Sequence, residues 1–473
     1  MIEIPILRFG KVYESIETVT LVHHATGEPF ARVHQANSGM VRRDMVRMAD
    51  DALEKFSTAD LIAMARKAGE LFMTATLPLG KSQQSFDDYI AQLSCTTGMP
   101  ITYCRDNAGK ITSVLEKMDQ VLAGLTRGLD LKVLDDGYSD ASGHMLSFYR
   151  AGRVFGAVLP SNSPGVHSLW APAMVLKAPI VLKPGREEPW TPYRMIEAFA
   201  AAGFPREAMG FYPTDHGGAG ELLRTADRAM LFGGGATVRP YENDPRIELH
   251  GPGYSKVILG DDVADDWAKY VEVMATSIDR NGGRSCINAS AIWTPRHGRA
   301  IADAVGKELA KHKALPADDP NATLAAFANP AVADQINNVI EHALTEDGAE
   351  DVCAAHRGTP RLAHIGRCAY LQPSVVWCES REHPLANREF LFPYASVVEC
   401  PAAEIADAIG PTLVATVITR DESFVHSLMN HPNVDRLNVG AIPTWRISWD
   451  QPHEGNLFEL LYRQRSFQFE PAA

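Results

Sequence analysis

Between residue 154 and about residue 251 the chain alternates short apolar runs with longer stretches of helical spacing. Residues 154–159, 180–182, 210–212 and 229–232 read as strands, with helices expected at 166–176, 193–202 and 217–225. Strand and helix in strict alternation, with short connections, argue for a parallel sheet covered on both faces. A second alternating block runs from 255 to about 420, where 264–276, 299–312 and 330–344 have helical spacing. The expected fold class is therefore α/β, with two doubly wound parallel-sheet domains. A chain of 473 residues with 45% hydrophobic content can bury cores of that size. Upstream, 58–77 and 107–125 are expected as long packing helices, the first capped by Ser57-Thr58-Ala59-Asp60. The run 143–150 alternates like a strand and leads through Ala151-Gly152 into 153–159.

Charge and cysteine usage narrow the function. A net charge of -13, with no Lys/Arg-rich run, argues against nucleic acid as a partner. The seven cysteines are an odd set without a Cys-x-x-Cys pair, which suits a reducing cytosol, and the histidines, His23-His24 included, lack zinc-ligand spacing, so no metal is expected. The start, Met1-Ile2-Glu3-Ile4-Pro5, has no basic region followed by a long apolar core, and no stretch approaches the length of a membrane span. The expectation is a soluble, cytoplasmic protein.

Three short segments carry chemistry. Asn281-Gly282-Gly283-Arg284-Ser285-Cys286-Ile287-Asn288 sets one cysteine among small and polar residues, a setting for a thiolate nucleophile, although a lone cysteine is also a common buried apolar residue. Glu248, 38 residues earlier, precedes His250-Gly251-Pro252-Gly253, where a carboxylate can take a proton from a thiol or a water; a solvated loop glutamate is the plainer alternative. Asn162 closes the run Val158-Leu159-Pro160-Ser161 between prolines, where a rigid amide can donate to an oxyanion or simply make a turn. Separately, Gly233-Gly234-Gly235 after an apolar run lets backbone N–H groups approach a phosphate, without any Gly-x-Gly-x-x-Gly fingerprint nearby.

Taken in order, Asn162, Glu248 and Cys286 resemble the aldehyde dehydrogenase superfamily, and the likeness extends from about Arg153 to about Val439. Ala178-Pro179-Ile180-Val181-Leu182-Lys183-Pro184 is similar to the family's strand ending in Lys-Pro, Leu231 to Val238 to its glycine-bearing turn, and Glu389-Phe390-Leu391-Phe392-Pro393 to its Glu-x-Phe-Gly-Pro element. The resemblance implies a nicotinamide dinucleotide, NAD or NADP, contacted by Pro160, Ser161, Lys183, Arg186, Gly234, Gly235 and Glu389. It also implies a dinucleotide-binding domain of 1–130 with 154–251, a catalytic domain of 252–430, and oligomerisation elements at 131–153 and 431–473. The latter include a small hairpin and a tail at 457–469 that pairs with it in a homodimer or homotetramer.

What the resemblance implies chemically is oxidation of a small-molecule aldehyde to a carboxylate. Cys286 adds to the carbonyl, Asn162 and the Cys286 N–H stabilise the oxyanion, the hydride passes to the nicotinamide, and Glu248 activates water to hydrolyse the thioester. Departures from the family pattern leave alternatives. Arg186 stands where many members carry a glutamate, favouring a 2'-phosphate, while Glu187 and Glu188 can neutralise it. The His-Gly-Pro-Gly turn and the missing glycine in Phe392-Pro393 resemble the coenzyme-A-acylating branch, so that coenzyme A is the alternative acyl acceptor. Arg284 can lower the Cys286 pKa or lie on the surface. Trp445 and Trp449 around Arg446 suit a substrate entrance or plain packing, with Arg446 able to hold a carboxylate or a phosphate of coenzyme A. A catalytically silent nucleotide-binding relative is the reading from another class.

Overall fold

The computed structural model describes residues 1–473 apart from 141, 142, 144, 453 and 471–473; His144, in the expected strand run, and His453, in the tail, lie outside the described residues. Two seven-stranded sheets organise the chain. The first runs, in spatial order, Ile247–His250, Arg228–Phe232, Phe155–Val158, Ile180–Lys183, Met209–Phe211, Ile6–Arg8 and Lys11–Tyr13. Its first five strands are parallel, and Ile6–Arg8 joins antiparallel at the edge. The chain starts at Phe155–Val158, builds outward through Ile180–Lys183, then returns to the other flank with Arg228–Phe232. That reversal is a topological switch point, and the crevice beyond its carboxyl ends is where open α/β sheets bind ligands.

Side-chain alternation explains why both faces need cover. Phe155, Ala157, Ile180, Leu182, Met230 and Phe232 pack to one side, whereas Val154, Val158, Val181, Ala229 and Leu231 pack to the other. The helices Thr58–Thr74, Ile101–Glu116 and Trp190–Ala202 line the first side and His216–Thr225 the second. Thr58–Thr74 begins at a capping box in which Ser57 and Asp60 satisfy each other's backbone N–H groups.

The second sheet runs Ala349–Asp351, Ser374–Cys378, Tyr394–Glu399, Ala291–Thr294, Lys256–Leu259, Thr412–Ile418 and Val434–Val439, parallel except for its first strand. Its edge strand Val434–Val439 lies within the segment 431–473. Ile258, Trp293, Val376 and Val417 face one core and Val257, Ile292, Val375 and Ile418 the other. The fold is thus α/β with two parallel-sheet layers.

A third sheet pairs Tyr462–Arg465 antiparallel with Leu146–Arg150, which in turn pairs with Tyr138–Ser139. Among the described residues no helix is long and apolar enough to cross a membrane.

The expected helix at 166–176 is instead a single turn, Pro164–Val166, followed by His167–Trp170 and Pro172–Val175. Pro172 lacks the N–H that a continuous helix needs, so the segment restarts there. The expected helix at 107–125 begins earlier, at Ile101, and breaks at Lys117 into Ile101–Glu116 and Met118–Leu125.

Candidate active site

The carboxyl ends of the first sheet face the amino ends of the second, and the residues of interest occupy that gap. Asn162 follows Phe155–Val158 and Lys183 ends Ile180–Lys183; Glu248 and His250 lie in Ile247–His250. From the other side, Cys286 precedes Ala291–Thr294 and Glu389 precedes Tyr394–Glu399.

The Cys286 loop is pinned from below. The Ser255 hydroxyl donates to the Cys286 carbonyl at 2.8 Å, and Asn288 accepts from the Ser285 N–H at 2.9 Å while donating to the Arg280 carbonyl at 2.9 Å. A Cβ on Gly253 would sit 2.1 Å from the Cys286 carbonyl oxygen, so only glycine fits beneath the loop. Asn281, at φ 58, donates to Ser163 and Ser285 at 3.1 Å and accepts from Asn107 at 2.8 Å. Asn162 donates to the Arg284 carbonyl at 2.7 Å, which fixes its amide beside the Cys286 loop and leaves a second N–H.

The half-buried Cys286 thiol donates to Glu454 Oε1 at 3.1 Å. Glu454 Oε2 lies 2.8 Å from His250 Nδ1, and His250 Nε2 lies 3.0 Å from Glu248 Oε1. Thiol, carboxylate, imidazole and carboxylate therefore form one continuous chain. Phe232 stacks on the imidazole with ring centroids 4.4 Å apart, which fixes its plane. Burial pulls the His250 pKa down, but the two carboxylates more than reverse this, to about 9. Burial, and then the Glu454 carboxylate, push the Cys286 thiol well above its ordinary value.

Two cavities extend from this chain toward the carboxyl ends of the first sheet. One, of about 260 Å³, is lined by Pro160, Asn162, Gly234, His250, Cys286 and Glu389 among others. The second, of about 330 Å³, is lined by Lys183, Gly185, Arg186, Thr214 and His216 with Val19 and Leu21. The Lys183 ammonium has no hydrogen bond or ion pair among the described residues, and burial lowers its pKa. A largely buried cation without a partner fits a ligand rich in oxygen. Glu188 is buried, bonded to His167 at 2.7 Å and to the Thr191 N–H at 2.8 Å, so it does not neutralise Arg186. Ser161 accepts from the Glu187 N–H at 3.2 Å, between the two cavities. Gly235 opens the single turn Gly235–Val238. Glu389 accepts from the Tyr254 N–H at 2.6 Å, and burial raises its pKa to about 7.

The third cavity, about 340 Å³, lies on the far side of the Cys286 loop and is lined by Lys110, Ser163, Ser285, Ile287, Trp445 and Trp449 among others. Arg446 is exposed and not part of its wall. Arg284 is neither a surface residue nor a partner of the thiol: it is buried, donates to the carbonyls of Thr97 and Ala326 at 3.3 Å each, and lies 5.3 Å from the centre of the Phe327 ring.

The structure brings Asn162, Cys286, Glu389, Pro160 and Gly234 around one cavity, with Lys183 and Arg186 on the next, and it sets Glu248 against His250 rather than against Cys286. Three residues that the sequence does not single out also stand here: His250 and Glu454 in the hydrogen-bonded chain and Lys110 on the third cavity. Only His250 left a signal, as the side chain that departs from the family's pattern.

The fold and this cleft set a cavity that carries the cations Lys183 and Arg186 beside one that carries a cysteine. The aldehyde dehydrogenase family model matches residues 12–456, and the chain belongs to that family. It is an oxidoreductase acting on aldehydes, in a family that uses NAD or NADP. An aminoacetaldehyde dehydrogenase of Pseudomonas aeruginosa is 27% identical over 256 residues, a match covering 52% of this chain and 50% of that protein. Among solved structures, an NAD+ complex of an aldehyde dehydrogenase from Bacillus cereus aligns with a TM-score of 0.76 at 16% identity, covering 98% of this chain and 96% of the other. An NADP-dependent enzyme of E. coli aligns with a TM-score of 0.76 at 18% identity, covering 94% and 91%.

Proposed function

We propose that the chain oxidises an aldehyde to a carboxylate through a thioester on Cys286 that water resolves. The observation that carries this reading is the unbroken chain from Cys286 Sγ through Glu454 and His250 to Glu248, with steps of 3.1, 2.8 and 3.0 Å. As sulfur adds to the carbonyl carbon, the thiol proton passes to Glu454, so a raised thiol pKa is no obstacle: the acceptor is already in place. The carbonyl oxygen takes the electron pair and is met by the Asn162 amide and the Cys286 N–H, which no described group accepts. A nicotinamide dinucleotide held by Pro160, Ser161, Lys183, Arg186, Gly234, Gly235 and Glu389 supplies the acceptor for the aldehyde hydrogen and its electron pair.

Resolution of the thioester needs a base. Glu454 and Glu248 share the imidazolium, so a proton taken from the attacking water spreads over the chain, and Glu248 acts through His250. The C–S bond breaks and sulfur regains the proton it lent. Lys183 and Arg186 on one cavity, with Glu188 turned away, support NADP beside NAD. For the assembly, we propose 1–130 with 154–251 as the dinucleotide-binding domain, 252–430 as the catalytic domain, and 131–153 with 431–473 as the surface of a homodimer or homotetramer.

The test is reduction of NAD+ and NADP+ with a panel of aldehydes, with and without coenzyme A, in the wild type and Glu248→Ala. Turnover without coenzyme A, reduced at least ~100-fold in the variant, is expected when the far carboxylate of the proton-accepting chain is lost. Steady turnover that needs coenzyme A and is little changed in the variant would overturn the hydrolytic reading in favour of acyl transfer.

A further inference from the structure

The cavity beyond the Cys286 loop holds an ammonium that has no hydrogen-bond or ion-pair partner among the described residues and that Glu454 meets only through its field. Lys110 lies on the helix Ile101–Glu116, one turn after Asn107. Asn107 locks that helix onto the site by accepting from the Gly165 N–H at 2.9 Å and donating to Asn281 at 2.8 Å. The Lys110 side chain then runs along Gly165: a Cβ there would lie 3.2 Å from its Cδ and 3.6 Å from its Nζ. Its ammonium makes no hydrogen bond or ion pair among the described residues and lines the 340 Å³ cavity with Ser163, Ser285, Trp445 and Trp449.

The nearby carboxylates are engaged elsewhere. Asp106 on the same wall is 3.0 Å from Arg280, whose guanidinium lies 5.4 Å from the centre of the Trp445 ring. Glu454 is held by His250 and by the Cys286 thiol. Arg436 adds a second positive field toward Glu454 and Cys286. Burial lowers the Lys110 pKa to about 8, as for a cation short of partners.

We propose that this cavity takes the anionic end of the substrate, so that the aldehyde oxidised at Cys286 also carries a carboxylate that pairs with Lys110. The inference rests on Cys286 being the nucleophile. An uncharged chain of the same length would cover the ammonium and leave it without a counter-charge, and a cationic aldehyde would be repelled by it; a carboxylate supplies the missing acceptor. The indole rings of Trp445 and Trp449 line the same cavity as Lys110, together with Ser163 and with Ser285 of the Cys286 loop.

The experiment compares kcat/KM for butanal, 4-oxobutanoate and 4-trimethylammoniobutanal, which share a chain length and differ in charge. It is run with NAD+ and NADP+ on the wild type, Lys110→Met and Lys110→Arg, with Cys286→Ser as the reference for thiol-dependent turnover. The expected order is anion over neutral by roughly 10- to 100-fold, the range for one charge-assisted hydrogen bond, and neutral over cation. In Lys110→Met the anion-to-neutral ratio falls toward 1, and in Lys110→Arg it is largely kept. Thiol-dependent turnover with equal rates for the three aldehydes, or a preference for the cation, overturns the carboxylate site while leaving the Cys286 reading intact. A wild-type ratio that survives in Lys110→Met overturns the role of Lys110. Absence of Cys286-dependent turnover with all three overturns the reading of Cys286 and this inference with it.

Discussion

His250 decides how the carboxylates behave, because one imidazole serves both. Its proton is held more tightly in the fold, to about 9, than at the ordinary value of 6.5. A raised folded pKa means the stabilisation is complete below about pH 6.5 and disappears as pH rises through about 9. Wild-type thermal stability should therefore fall more steeply between these values than that of His250→Asn, by up to about 3 kcal/mol of differential stability. Equal slopes would show that the imidazole carries no extra proton in the fold. Cys286, Asn162, Lys183 and Glu389 were legible because each sits in a segment whose neighbours mark it. Glu454 was not: it reaches Cys286 across 168 residues from a polar stretch that reads as a connection. Lys110 is one lysine in an amphipathic helix, and only the packing of Asn107 against Gly165 shows which way that face turns.

At the scale of elements, strands were legible where apolar runs were continuous and helices where a cap announced them. Thr58–Thr74 has its Ser57-Asp60 box; Ile101–Glu116 starts after Pro100 with no side-chain cap, and its first turn went unread. The hairpin Ile6–Arg8 with Lys11–Tyr13 is too short for any pattern, and it is pairing with Met209–Phe211 that makes it a sheet edge. The turn at Gly253 shows how one element positions another. Gly253→Ala would bring a Cβ to 2.1 Å from the Cys286 carbonyl oxygen and 2.8 Å from its carbon. Backbone on both sides must shift, so a loss of about 1–3 kcal/mol is expected. Misplacement of the nucleophile by about an ångström should lower kcat/KM at least ~100-fold. A variant with wild-type rates and an unchanged melting temperature would mean that the loop does not depend on this contact.

Across the whole molecule, the two sheets meet with opposite ends, so that one layer contributes Asn162, Glu248 and His250 and the other contributes Cys286 and Glu389. The segment after Val434–Val439 completes the site by returning with Trp445, Trp449 and Glu454 before it pairs with Leu146–Arg150 through Tyr462–Arg465. The division into two α/β layers was legible from the order of the runs. The closure was legible only through the resemblance, which sets the tail 457–469 against the hairpin, because nothing local marks a strand pairing more than 300 residues apart in sequence. On the proposed mechanism, the chain of four side chains that results is what separates thioester hydrolysis from mere thioester formation. The direct measurement is the intact mass of the enzyme quenched during turnover of an aldehyde with NAD+ or NADP+ and no coenzyme A, for the wild type, Glu454→Gln and His250→Asn. An acyl adduct that maps to Cys286, is short-lived in the wild type, accumulates in His250→Asn and forms more slowly in Glu454→Gln, whose amide cannot take the thiol proton, is the expected result; no adduct on Cys286, or formation and clearance at one rate in all three, would contradict it.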